Sequence, residues 1–298
     1  MIKIQKSSKK KQEDTILIFC FLIIPVILML MLSYYPAVKL LELSFSNWDG
    51  LSKSYEYVGF NNFKEIFGEP EVMKVFENNG AYVIVMLIQQ VIALYLAIIL
   101  NSKIRGKNFF KSVIFMPYIL NGVAVAFMFS FMYDFQNGPV NIILKNIGLS
   151  QYSVHFLSGF YSSNFALAFI GFWKYVGLTM IIYLAALQSV SNELYEASKL
   201  DGANFFQNIW YITIPNIKRM ISISLILGFN GAMQAYFEAF VITKGGPNGI
   251  TDTFITKTLY LAFYNHKFGK ASAMGIILVL IIALIVLIQR KLLREEVD

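Results

Sequence analysis

Polar and aromatic side chains cluster within one apolar stretch of the chain. Asn230, Gln234 and Glu238 recur at every fourth residue, and Tyr236 and Phe237 lie beside them. On a helix, this spacing keeps the three polar groups on one face, which drifts by about 40° per step. A small-molecule site needs a few hydrogen-bonding groups beside apolar and aromatic surface. The pattern therefore predicts a substrate pathway, although bonds from these groups to neighbouring helices would produce the same pattern.

The sequence contains no motif for binding and hydrolysing ATP. A phosphate-binding loop needs Gly-x4-Gly-Lys-Ser/Thr, and Gly-Lys occurs only at 106–107 and 269–270, without the earlier glycine or the following hydroxyl. Lys174 and Glu238 are the only ionisable residues inside the long apolar stretches, so an ion pathway has few groups to use. Lys174 is expected either to pair with Glu238 or to extend its amine towards the membrane surface.

Catalytic and metal-binding patterns are also missing from the sequence. Neither Gly-x-Ser-x-Gly nor His-Glu-x-x-His occurs, and His155 and His266 fall in predicted loops. Cys20 is the single cysteine, which excludes an internal disulfide and a cysteine-rich metal site. We expect no catalytic residue, no metal and no cofactor in this chain. An intramembrane enzyme has no supporting feature.

Six apolar runs must position these residues. Hydrophobic residues make up 57% of the 298 and charged residues only 14%, whereas soluble proteins carry roughly a quarter charged residues. The runs are 16–35, 80–100, 112–133, 165–187, 220–242 and 271–289. Each is close to the length of about 20 residues that a helix needs to cross a bilayer, and the alternation typical of a membrane barrel is absent. The predicted fold class is an all-α membrane protein with six transmembrane helices.

The distribution of lysine and arginine predicts the orientation in the membrane. The tail 1–15 carries five lysines, the link after the second run has four basic residues and no acid, and the chain ends in a further basic cluster. Segments 36–79 and 134–164 are poor in basic residues and are expected outside. The loop 243–270, with four lysines and one acid, argues the other way. Counting six helices, both termini are predicted to be cytoplasmic, and the net charge of +7 is attributed to topology.

The first run also needs comparison with a secretory signal peptide, because lysines precede it. It is longer than such a peptide's apolar region, and no small-residue cleavage site follows it. Phe19 before Cys20 does not fit a lipoprotein cleavage site. The run is therefore predicted to be a membrane helix.

The segment 188–219, named here the cytoplasmic knob, is predicted to form two short helices. Ser191 or its neighbour can cap the first helix, and Gly202 allows a left-handed exit from it. Asn204 can cap the second helix, which is predicted to end before Pro215. Such a pair either rests on the lipid headgroups as an amphipathic hairpin or docks a cytoplasmic partner.

Residues 195–203, Tyr-Glu-Ala-Ser-Lys-Leu-Asp-Gly-Ala, with Pro215 further on, resemble the EAA loop of ATP-binding-cassette importer permeases. The departure is Ser198, where the family usually has a second alanine. Further matching segments are 47–49, 171–174, 184–188 and 243–247, together with Thr251. Together they look like the MalF-type branch, which carries sugars.

The resemblance implies a subunit with the type I importer fold, paired with a second, homologous permease. Two ATPase subunits would bind ATP and Mg below it, and an extracellular solute-binding protein would deliver the sugar. The residues that the resemblance places in the ATPase groove are Glu196, Ala197, Asp201, Gly202 and Ala203.

The expected division of the chain follows from topology and resemblance. It comprises a basic cytoplasmic tail at 1–15, a first helix with an extracellular segment at 16–79, the type I transmembrane domain at 80–290, and a cytoplasmic tail at 291–298. We expect a multi-pass protein of the cytoplasmic membrane of a prokaryote, in contact with lipid and not with nucleic acid. The predicted function is ATP-driven import of a sugar or oligosaccharide. The alternative is an ion-coupled secondary transporter without an ATPase.

Overall fold

The chain is helical along most of its described length. The computed structural model describes residues 17–19, 21–102, 104–152 and 155–292. The predictions for the tail 1–15, for Cys20 and for the residues after 292 lie outside this part. The helices are α1 (Leu17–Ser44), α2 (Asn61–Gly68), α3 (Pro70–Asn101), α4 (Lys107–Ile119), α5 (Gly122–Met132), α6 (Pro139–Asn146), α7 (Phe160–Leu187), α8 (Asn192–Leu200), α9 (Phe205–Met233), α10 (Phe254–Leu259) and α11 (Phe268–Leu292).

Within the part of the chain that the structure describes, five single helices are long and apolar enough to cross a membrane, namely α1, α3, α7, α9 and α11. A sixth candidate is the pair α4 and α5, which is bent by 98°. Among the described residues, the only β pairing is an isolated bridge between Ser46 and Tyr57. The prediction of an all-α membrane protein is confirmed, with five to six candidate spans.

The prediction of one continuous helix over 112–133 is wrong, because the chain turns sharply after α4. The side chain of Asn121 accepts hydrogen bonds from the backbone N–H groups of Val123 at 2.9 Å and Ala124 at 3.3 Å. An asparagine that caps a helix start in this way takes an extended backbone and so ends the preceding helix. Its polarity within an apolar run was the signal for this break.

The predicted end of the second knob helix before Pro215 is also wrong. α9 runs through this proline, and a π-helical turn, Ile209–Thr213, immediately precedes it. In that turn the N–H of Ile214 bonds to the carbonyl of Ile209. Because of this wider hydrogen-bond spacing, the helix can continue through Pro215, although proline has no backbone N–H to donate.

The described chain divides into two compact units, and the larger one comprises Ile66–Tyr260 with the residues from Ile277 onward. In it α3 packs along α7, while α4 packs against α7 and α9 against α3. A buried polar cluster joins three of these helices, since Gln90 Oε1 accepts hydrogen bonds from Tyr183 at 2.5 Å and Ser224 at 3.0 Å. Such satisfied buried groups fix the register of the helices.

The smaller unit contains the residues up to Glu65 together with Leu261–Ile276. Asn62 Nδ2 donates hydrogen bonds to the carbonyls of Ser44 at 2.9 Å and Ser46 at 2.8 Å. The buried Lys270 lies 3.3 Å from a carboxylate oxygen of Glu65. In the loop before α2, hydrogen bonds to the Asp49 carboxylate, chiefly from the Ser52 amide, lower the pKa of Asp49 to about 2.

Candidate functional site

The helix is interrupted at the end of α9, and side chains from distant parts of the chain stabilise this break by hydrogen bonds. Asn79 of α3 donates through Nδ2 to the carbonyls of Ala232 at 3.1 Å and Met233 at 3.3 Å. Thr253 Oγ1 donates to the carbonyl of Ala235 at 2.7 Å. These carbonyls would otherwise bond to N–H groups one turn further along a continuing helix. The chain therefore leaves the helix at Gln234 and becomes helical again at Phe237, just before a π-helical turn, Ala239–Thr243.

The loop that follows the break, residues 244–253, is tied down by hydrogen bonds. The hydroxyls of Thr243 and Thr251 are 2.7 Å apart and close the loop at its base. Asn78 Nδ2 donates to the carbonyl of Asp252 at 2.8 Å. Burial raises the pKa of the Asp252 carboxyl, against the opposing effect of a hydrogen bond from Thr256. The segment 243–247, which contributes to the family resemblance, thus begins a loop that hydrogen bonds hold in place beside the break.

A cavity of about 560 Å³ lies beside the break. Its wall comes from α3, α4, α7 and α9 and from the residues of the break. Its polar members are Tyr82, Gln89, Tyr118, Tyr175, Thr179, Ser224, Gln234, Tyr236 and Glu238. Aromatic, aliphatic and glycine residues form the rest of the wall. The volume and the mixture of apolar surface with a few polar groups are typical of small-molecule sites.

Four of the five predicted pathway residues lie on this wall, namely Gln234, Tyr236, Phe237 and Glu238. Asn230 does not, and its side-chain oxygen instead accepts a hydrogen bond from Gln234 Nε2 at 2.6 Å. The prediction of one continuous helix over 220–242 is wrong, because the helix ends at Met233. Gln234 and Glu238 both line the cavity because the chain bends at the break. They do not lie on one face of a continuous helix.

The sequence argument did not find the part of the wall that α3 and α7 provide. Tyr82 and Gln89 are seven residues apart in α3 and so lie on one face. Gln89 Nε2 donates to Thr179 Oγ1 of α7 at 3.0 Å. The hydroxyl of Tyr82 is buried and has no hydrogen-bond partner among the described residues. The seven-residue spacing of Tyr82 and Gln89 indicates a shared helix face. It does not indicate which other helices that face contacts.

Glu238 and Lys174 are close, without forming the expected direct pair. Within the described residues, no ion pair shorter than 4 Å joins them. Lys174 is only 8% exposed, and its Nζ lies 5.5 Å from the centroid of the Tyr175 ring. It also packs over Gly122, where an added Cβ would lie 3.3 Å from Nζ and 3.0 Å from Phe237. The alternative in which Lys174 extends towards the membrane surface is therefore wrong.

The two predicted loop histidines offer no metal site. His155 stacks on the ring of Phe135 with 3.4 Å between ring centroids. His266 has a backbone φ of +51°. In the described part of the chain, no group of three or more histidine, cysteine, aspartate and glutamate side chains is placed to hold a metal ion.

The cytoplasmic knob has a closely defined turn between α8 and α9. Gly202 adopts a φ of +78°, and the N–H of Ala203 bonds to the carbonyl of Ser198 at 2.9 Å. Asn204 caps α9 through its hydrogen bond from the N–H of Gln207 at 2.9 Å. The buried Ser198 hydroxyl lies 2.5 Å from Asn208 Oδ1, so the departure from alanine gives the knob an additional hydrogen bond.

The residues expected to contact an ATPase lie at the surface of this knob. Glu196, Ala197, Asp201 and Gly202 are exposed, and Ala203 is half-buried. Large apolar side chains are exposed beside them, namely Leu200 at 89%, Phe206 at 70%, Trp210 at 65% and Tyr211 at 79%. Exposed apolar groups in such a cluster are typical of a surface that a partner covers.

Comparison with known proteins gives one matching family. Residues 89–295 match the model of the binding-protein-dependent transport system inner membrane component. The multiple sugar-binding transport system permease protein MsmF of Streptococcus mutans is 29% identical over 92% of this chain and 94% of its own length. The arabinooligosaccharides transport system permease protein AraP of Halalkalibacterium halodurans is 31% identical over 90% of this chain and 85% of its own.

A solved structure has the same fold along nearly the whole chain. It is a bacterial ABC transporter involved in the import of the acidic polysaccharide alginate, and the matched chain is 24% identical. The TM-score is 0.83, with coverage of 98% of this chain and 100% of the other.

Proposed function

We propose, because this chain belongs to the family of binding-protein-dependent transport system inner membrane components, that it carries a sugar or oligosaccharide into the cell. It is a multi-pass permease subunit of an ABC importer in the inner membrane, and a separate ATPase binds ATP. The chain itself has no catalytic role. Family membership favours the permease over the alternative of an ion-coupled secondary transporter.

The observation that carries the sugar assignment is the composition of the cavity wall. Phenol, amide, hydroxyl and carboxylate groups alternate there with aromatic and aliphatic surface. Gln234 and Glu238 offer hydrogen-bonding atoms, and Phe237 offers a ring that is 44% exposed. Sugars present hydroxyls at their edges and apolar C–H groups on their faces, so such a wall fits them. MsmF and AraP, which are similar over most of this chain, have names that refer to sugars.

The proposed complex contains a second, homologous permease, two ATPase subunits and an extracellular binding protein. The cytoplasmic knob supports the ATPase contact, because its turn is fixed by internal hydrogen bonds and its apolar side chains are exposed. In this arrangement Glu196, Ala197, Asp201, Gly202 and Ala203 contact the ATPase. Closure of the ATPase dimer would then move α8 together with α9, which continues from the knob to the cavity wall.

Uptake by cells with and without this chain tests the substrate assignment. Deletion cells and complemented cells receive labelled neutral oligosaccharides, amino acids and a polyamine in parallel. We expect uptake that depends on the chain for at least one oligosaccharide and for none of the other compounds. Dependence of amino-acid or polyamine uptake alone would contradict the proposal.

A further inference from the structure

Glu238 carries the one carboxyl group on the described cavity wall, and no lysine, arginine or histidine lines that wall. The other polar members are phenols, amides and hydroxyls. Tyr82 and Tyr175 line the same cavity as Glu238 and contribute neutral phenols. A ligand in the cavity therefore meets a single acidic group among neutral ones.

The compensating charge lies behind this wall. Lys174 is close to Glu238 but does not line the cavity, and its side chain is packed against Gly122 and the Tyr175 ring. Because the strength of an interaction between charges falls with distance and with solvent screening, the carboxylate on the wall has more influence on a ligand than the amine behind it. The cavity is consequently expected to have a negative potential, although Lys174 is nearby.

We infer that Glu238 makes the cavity selective for uncharged glycosides and against sugars that carry carboxylate or phosphate groups. The inference rests on the proposed sugar transport, and it names the class of sugar. A carboxylate accepts hydrogen bonds through both oxygens and so suits neighbouring hydroxyls of a neutral sugar. The same carboxylate repels an anionic ligand inside a partly desolvated cavity. Glu238 acts here as a specificity-determining residue.

The charge of the cavity can be measured without knowing the sugar. Gly231 lines the cavity, and a Cβ built on it meets nothing within 4 Å, so Gly231→Cys places a thiol there without a clash. In the purified complex, with Cys20→Ser, this thiol is reacted with methanethiosulfonates that carry either an ammonium or a sulfonate group. Each rate is divided by the rate of that reagent with a free thiol in solution.

We expect the cationic reagent to react about tenfold faster than the anionic one after this correction. Glu238→Gln should bring the ratio close to one, because it keeps the shape and removes the charge. Lys174→Met should raise the ratio instead. Two matched controls use groups away from the cavity: Glu77→Gln should leave the ratio unchanged, and a thiol at the exposed Gly68, where a Cβ also meets nothing within 4 Å, should not respond to Glu238→Gln.

An anionic reagent that reacts as fast as the cationic one in the parent protein overturns the inference, even if the Glu238→Gln variant does not assemble. A ratio that Glu238→Gln leaves unchanged also overturns it. Uptake of a uronate-containing oligosaccharide by the parent complex at the rate of its neutral analogue would do the same. These outcomes differ from failure of the proposed function, in which no sugar uptake depends on the chain whatever the charge of the cavity.

Discussion

The buried hydroxyl of Tyr82 is the strongest single-residue indication that the cavity holds a ligand. Its side chain is 6% exposed, and no described residue bonds to the hydroxyl. Tyr183 is buried in the same unit, and its hydroxyl donates to Gln90. A buried polar group without a partner costs about 1–3 kcal/mol. Because no described residue satisfies the Tyr82 hydroxyl, we interpret it as a group that can bond to a substrate.

Replacing Tyr82 by Phe tests this interpretation against a matched replacement. Tyr82→Phe should assemble as well as the parent and unfold at the same or a higher temperature, because no bond within the chain is lost. Uptake should fall roughly five- to a hundredfold, as expected when a substrate hydroxyl loses a bond of about 1–3 kcal/mol. Tyr183→Phe should do the reverse, with lower stability of the complex and normal uptake per complex. Normal uptake by Tyr82→Phe would remove Tyr82 from the pathway.

Gln234→Leu tests the wall on the side of the break. The side chain is exposed to the cavity, and its hydrogen bond goes to Asn230 at the end of the same helix. We therefore expect normal assembly and a five- to hundredfold loss of uptake, because a substrate hydroxyl loses its donor and acceptor. Asn230→Ala, which changes a residue off the wall, should have a smaller effect. Assembly and uptake are measured on the same preparation.

Poor assembly of the Gln234→Leu complex, with normal uptake by each assembled complex, would mean that Gln234 is structural. The position of the side chain argues against this outcome, since no described contact joins it to another helix. The network that does join helices lies instead at Gln90, Tyr183 and Ser224.

At the scale of the element, helix existence could be predicted from the sequence, but several helix ends could not. Long apolar runs can be recognised in the sequence because the thickness of the bilayer sets their length. The end of α9 depends on Asn79, which is more than 150 positions away in sequence. The π-helical turn before Pro215 likewise leaves no mark on the hydrophobic periodicity. Breaks held by distant side chains are therefore the part of the fold that periodicity does not show.

The turn at Gly202 gives a prediction for the knob. With a φ of +78°, a residue with a side chain costs roughly 1–2 kcal/mol there, and an aspartate adds a second acid beside Asp201 at the end of α8. Gly202→Asp should weaken ATPase association and lower uptake by about tenfold or more, while the membrane helices still insert. Gly148→Asp is the matched control, because its φ is also +78° and its added Cβ also meets nothing within 4 Å.

Equal losses of ATPase association in Gly202→Asp and Gly148→Asp would indicate general backbone strain and contradict docking through the knob. Full association and uptake in Gly202→Asp would contradict it as well. Co-purification of the ATPase with the tagged permease measures the first quantity, and uptake of labelled sugar measures the second.

At the scale of the whole molecule, composition and motifs were sufficient for the class of protein and insufficient for the full site. The family resemblance followed from residues 195–203, because this short turn is contiguous in sequence. The cavity wall instead combines positions from four helices, and only the part near Gln234 is contiguous. Which faces of α3 and α7 meet α9 depends on long-range packing, such as that of Gly228 against Gln90 and Met86.

The last prediction concerns the orientation of the whole chain, which the positive charges indicate. Lys199 in the knob and Lys145 in α6 are both exposed, so a cysteine at either position is accessible to a reagent on its own side. In intact cells with Cys20→Ser, a membrane-impermeant thiol reagent should label Lys145→Cys and leave Lys199→Cys unlabelled. Both should react after the membrane is opened. Because the ATPase works in the cytoplasm, labelling of Lys199→Cys in intact cells would place the knob outside and contradict both the topology and the docking proposal.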